Sequence, residues 1–132
     1  MSKKKNQKEI EKIARRYNLS LILAFGSQIT GKIHPDSDLD IAVLGKKILN
    51  QENYSALLFD LIKIFPEKEI DLVIINHADP LLLKKVLENC RLLYGSKREL
   101  ANLKMYSFHR YCDYQKYFNL EEKFVHQFIK SL

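Results

Sequence analysis

Residues 26–40 read GSQITGKIHPDSDLD: a Gly-Ser pair, ten intervening residues, then Asp38-Leu-Asp40 opening the apolar run Ile41–Leu44. Apolar residues flank the stretch on its other side, Leu21–Phe25. Two β-strands joined through a glycine turn and a proline-broken loop are the expected local structure. A turn that ends a strand can aim backbone N–H groups at a phosphate. Side chains two apart on a strand share a face, so Asp38 and Asp40 are expected to project together. Two carboxylates on one patch repel, and a cation such as Mg²⁺ relieves the repulsion. A phosphate cradle beside a divalent-metal site is equipment for handling a nucleoside triphosphate.

Outward from this stretch, helix and strand signals alternate. Ile10, Ile13, Ala14 and Tyr17 recur at helical spacing and predict a helix over about residues 6–17, with Asn18 as its stop. Leu19–Phe25 follows as a buried strand ended by Gly26, and Ser27 could cap a short turn running to Thr30 and Gly31. Leu39–Leu44 is the second strand, closed by Gly45. Tyr54, Leu57, Leu58, Leu61, Ile62 and Phe65 stripe a helix over about 51–65 that halts before Pro66. Ile70–Ile75 is a third strand, apolar except for Asp71. Asp79-Pro80 starts a helix to about Asn89. Arg91–Tyr94 reads as a short edge strand. Ser96 with Glu99, and Asn119 with Glu122, form two capping boxes and predict two closing helices, about 97–117 and 119–130. The first of these carries Tyr106, Phe108, Tyr111, Tyr114 and Tyr117, a composition suited to a protein interface or to packing on its own domain.

Composition narrows the function classes. At 132 residues, 46% apolar and 29% charged, the chain can bury a core and is no disordered tract. No apolar run nears the ~20 residues of a membrane span, and no signal-peptide core follows the Lys-rich start. Cys90 and Cys112 lack metal-ligand spacing and are expected as reduced thiols, in keeping with a cytoplasmic setting. Of the net charge of +6, residues 1–16 supply +5, leaving the body close to neutral. The basic character is thus a solvated arm, and nucleic acid is not the expected partner. His34 and Lys32 read as loop surface, His77 as a turn residue, and His109 and His126 as unrelated surface residues on separate helices.

Asp71 completes the chemical pattern. An acid inside an apolar strand is rarely left unpaired, because burying an isolated charge costs several kcal/mol. Either a lysine satisfies it, or Asp38, Asp40 and Asp71 face one metal site from adjacent strands. In the second case phosphoryl-transfer chemistry assigns the roles. Asp38 and Asp40 would be shared ligands of two Mg²⁺ ions, and Asp71 would bind the second ion or take the proton of the attacking hydroxyl. Gly26 would let backbone approach a phosphate, and Ser27 would offer its N–H and hydroxyl.

The segments Ala24-Phe-Gly-Ser27, Gly31, Asp36-Ser-Asp-Leu-Asp-Ile-Ala-Val43, Ile70-Asp-Leu-Val-Ile-Ile-Asn76, Ala78-Asp-Pro-Leu-Leu82 and Arg91-Leu-Leu-Tyr94 resemble the minimal nucleotidyltransferase branch of the polymerase-β-like superfamily. The resemblance covers about residues 8–95. It implies an α/β (α+β) fold, a small mixed sheet flanked by helices, with residues 1–95 as the core and 96–132 as a helical extension of the same domain. It also implies Mg²⁺ and ATP as cofactors and Asp38, Asp40 and Asp71 as catalytic and metal-binding acids. Gly26 and Ser27, with Asp38 and Asp40, would hold the nucleotide. Members of the branch are commonly antitoxins that silence a HEPN-type RNase toxin by transferring AMP to a toxin tyrosine, so such a toxin, in a hetero-oligomer or beside a homodimer, is the implied partner. Relatives frequently carry Arg after the Gly-Ser pair, where this chain has Gln28. A non-catalytic binding antitoxin and a small-molecule nucleotidyltransferase are the competing readings, the latter weakened by the slender segment after Gly95.

Overall fold

A computed structural model describes residues 2–26 and 38–132. Alternating apolar residues build the sheet. β1 (Leu19–Phe25), β2 (Leu39–Gly45), β3 (Ile70–Ile74) and β4 (Cys90–Tyr94) stand in the order β3-β2-β1-β4. β1 pairs antiparallel with β2 and β4, and β2 pairs parallel with β3. The sheet is therefore mixed, with the short β3 and β4 at its edges.

The period of two along each strand sorts side chains into two cores. Ile22, Ala24, Leu39, Ile41, Val43 and Leu72 meet Ile10, Ile13 and Ala14 of α1 (Ser2–Arg16) and Leu57 and Leu61 of α2 (Gln51–Ile64). On the opposite face Leu21, Leu23, Phe25 and Ala42 meet Leu83, Val86 and Leu87 of α3 (Pro80–Glu88) and Leu103 of α4 (Lys97–Ser131). The result is helices on both sides of one sheet, the layering expected of α/β chains.

Local chemistry sets the boundaries. α1 ends at Asn18, which adopts a left-handed φ of 55°, a conformation asparagine tolerates. Tyr17 donates to Asp60 Oδ2 at 2.6 Å and Arg16 bridges the same oxygen at 3.0 Å, tying α1 to α2. Asp79 caps α3 by accepting from the Leu82 N–H at 2.8 Å, with Pro80 at the first helical position. Ser96 caps α4 by accepting from the Glu99 N–H at 3.0 Å. Asn76, in the 3₁₀ turn Ile75–His77 after β3, both accepts from the Gly45 N–H (2.9 Å) and donates to the Gly45 carbonyl (2.8 Å), clamping the far end of β2.

Two sequence expectations change. α1 starts at Ser2, so the basic arm is helical rather than a loose tail. The two closing helices are one, Lys97–Ser131, which also places His109 and His126 on a single helix. No Gly or Pro lies between Lys97 and Ser131, and Asn119 costs an uninterrupted helix only about 0.5 kcal/mol, less than breaking the hydrogen-bond ladder. A capping box is a signal only where the chain has a reason to stop.

Candidate active site

β1 runs toward the site and β2 and β3 run away from it. Asp38 is exposed immediately before β2, Asp40 is half-buried within it, and Asp71 is exposed on β3. The parallel register sets Asp40 opposite Asp71, and the antiparallel register sets Asp40 opposite Phe25. Asp40 and Asp71 alternate with Ile41 and Leu72, which point into the α1–α2 core, so both carboxylates rise on the α3–α4 face. Neighbouring strands lie about 4.8 Å apart, which puts the two acids within easy reach of one ion.

The electrostatics carry the same juxtaposition. Burial pushes the Asp40 carboxyl above its ordinary value, and the charges of Asp71 and then Asp38 push it further the same way. The Lys85 ammonium of α3 pulls in the opposite direction. All three acids thus act on one locus, and none of the ion pairs among the described residues joins Asp71 to a lysine. The lysine-satisfied reading of Asp71 finds no support there.

Gly26 ends β1 with φ of +90°, a conformation favoured only by glycine, and a Cβ there would collide with the Asp40 carboxylate. The turn and the central acid are therefore in direct contact. Ser27, Gln28, Gly31, Lys32, His34 and Asp36 lie outside the described residues, as does the short turn expected from Ser27 to Thr30. Among the described residues no three His, Cys, Asp or Glu side chains are drawn together tightly enough to hold a metal ion. Burial first, and then the neighbouring charges of Asp71 and Asp38, make ionisation of Asp40 costly. The donor set is all carboxylate oxygen, the chemistry of a hard divalent cation, and a cation there would relieve that repulsion.

Lys85 escaped the sequence reading. Helical spacing alone gives a lysine on α3, but only the pairing of strands under α3 shows which end of the sheet it approaches. Cys90 and Cys112 are free thiols, as expected. No described helix is long and apolar enough to cross a membrane. The inner part of α4 packs through Leu103 and Ser107, whereas Tyr117, Leu120, Phe124, Phe128 and Ile129 are exposed, Phe124 at 69%.

A protein-family comparison matches residues 8–99 to the family described as polymerase beta, nucleotidyltransferase. No curated protein matches the chain. Among solved structures, a toxin–antitoxin complex with AMP-PNP is similar at 27% identity and a TM-score of 0.76, over 91% of this chain and 98% of that one. An MntA–HpeT toxin–antitoxin mutant with two Asp→Glu substitutions is similar at 25% identity and a TM-score of 0.74, over 90% and 97%. The complex of MNT antitoxin with tri-AMPylated HEPN toxin from Shewanella oneidensis shares the fold at 24% identity and a TM-score of 0.71, over 93% and 98%.

Proposed function

This chain belongs to the polymerase beta nucleotidyltransferase family, and on that premise we propose that it is an antitoxin that transfers AMP from ATP to a tyrosine of a HEPN-type RNase toxin. The observation that carries this reading is the register of Asp40 against Asp71, with Gly26 pressed on Asp40. Likeness to a toxin–antitoxin complex with AMP-PNP supports both the donor and the kind of partner. The exposed apolar side of α4 supports a protein partner as well, since a contiguous apolar patch of this kind marks an interaction surface.

The residues divide the work by position. Gly26 and Ser27 hold a phosphate of ATP through backbone N–H groups and the serine hydroxyl. Asp38 and Asp40 would hold the divalent cations, and Asp71, on the open edge of the sheet, would share the second or take the hydroxyl proton. Such cations, Mg²⁺ by their chemistry, supply neutralisation of the triphosphate and a more acidic attacking hydroxyl. The tyrosine oxygen bonds to the α-phosphorus, the bond to the bridging oxygen breaks, and pyrophosphate leaves with that electron pair. A reaction that consumes ATP and silences an RNase would take place in the cytoplasm. Residues 96–132 work as part of the same domain as the core, through the packing of α4 on α3.

The test is transfer of label from α-³²P-ATP and Mg²⁺ to the cognate toxin, with loss of its RNase activity. Asp38→Asn combined with Asp40→Asn is expected to abolish labelling at unchanged fold. The exposed outer half of α4 also favours a second reading, neutralisation by binding alone. Full neutralisation in cells by the double variant, without label, would establish that one instead.

A further inference from the structure

β3 carries Asp71 at the open edge of the sheet, paired to β2 alone. The Leu39 N–H donates to the Glu69 carbonyl at 2.7 Å and sets the phase of that pairing. A parallel ladder repeats every two residues, so the carbonyls of Glu69 and Asp71 turn to β2 and that of Leu72 turns to the open edge. Leu72 is only 7% exposed, and a buried carbonyl without a donor is costly. The Tyr54 hydroxyl supplies the donor, 3.2 Å from the Leu72 oxygen. Tyr54 packs half-buried against the α1–α2 core, whereas Asp71 rises on the opposite face, so the phenol does not touch the reacting atoms.

The phenol is itself held from behind. Tyr54 stands in the first turn of α2, where its N–H donates to the Asn50 carbonyl at 2.9 Å and the Asn50 side chain caps the helix. Leu57 and Leu61, both fully buried, seat the same helix in the core. The strand it grips needs the support. β3 is five residues long, and Asp40 faces Asp71 directly across the ladder, where like charges push neighbouring strands apart.

We propose that Tyr54 is a positioning residue for the third acid: its hydroxyl pins the β3 backbone next to Asp71 and so keeps that carboxylate close enough to Asp40 to share a divalent cation. The inference rests on the nucleotidyltransferase reading above and adds a residue to it. A group locked by packing on a buried helix is suited to this work, since a site is only as well placed as the shell behind it.

Mn²⁺ titrated into the full chain with AMP-PNP present, followed by electron paramagnetic resonance, tests this apart from turnover. Tyr54→Phe keeps the ring and removes the hydroxyl. At a temperature where both proteins are fully folded, it is expected to weaken Mn²⁺ about fivefold, the scale of one neutral hydrogen bond. Asp71→Asn should weaken Mn²⁺ as well, and adding Tyr54→Phe to it should cost nothing further, because a residue that acts through another is non-additive with it. Mn²⁺ affinity that either single variant leaves as it is, or a Tyr54→Phe loss undiminished in the Asp71→Asn background, overturns the assignment while the nucleotidyltransferase reading stands. A wild-type chain that binds no Mn²⁺ with AMP-PNP sinks that reading, and the role of Tyr54 with it.

Discussion

Asp40 is the residue on which fold and chemistry conflict. Its folded pKa is raised above the ordinary 3.8, by burial first and by Asp71 and Asp38 after it. Protonated in both states below that ordinary value, it then contributes its full stabilisation. The contribution fades as pH rises through the elevated folded value, so ionising Asp40 in the metal-free protein carries a cost. Asp40→Asn is therefore expected to raise the melting temperature of the metal-free protein at pH 7 by a few °C, an advantage that shrinks in acid, while transfer is lost. Thermal melts of the two proteins across pH check the sign, and a lower melting point for the variant at pH 7 would contradict it. Both strand acids were legible because a period of two is written in Asp38-Leu-Asp40 and an acid is conspicuous in Ile70–Ile74. The influence of Lys85 was not, because it depends on a helix phase and a strand order that no local pattern encodes.

At the scale of elements, sequence periodicity found the four described strands and the core of each described α-helix, and it missed the 3₁₀ turn after β3 and where α4 ends. Asn119 with Glu122 has the residues of a capping box, but a cap works only where the preceding backbone leaves helical angles. Stability separates the two roles by sign. As a mid-helix residue, Asn119 replaced by Ala is expected to gain about 0.5 kcal/mol from helix propensity. A true cap would instead lose about 1 kcal/mol. Denaturant unfolding of Asn119→Ala decides between them. Unbroken, the 35-residue α4 is about 50 Å long, and its outer half carries Phe118, Phe124, Val125, Phe128 and Ile129 beyond the body that Leu103 and Ser107 anchor. The tyrosines counted in the sequence mark only the inner part of that exposed surface.

Across the whole molecule, the acids are divided between elements of unequal security. Asp40 stands on β2, flanked by β1 and β3 and backed by cores on both faces, whereas Asp71 rides on β3, five residues long and paired on one side only. Edge strands open more readily than central ones, so local opening of β3 costs less than unfolding the domain. Warming should consequently silence the protein before it melts. Transfer activity is expected to decline reversibly several degrees below the calorimetric transition, in step with faster amide exchange at Leu72 and Val73 and not at Ile41 or Ala42. A partner or nucleotide that latches this outermost ribbon would then act as a thermostat, widening the range of temperatures over which the enzyme keeps working.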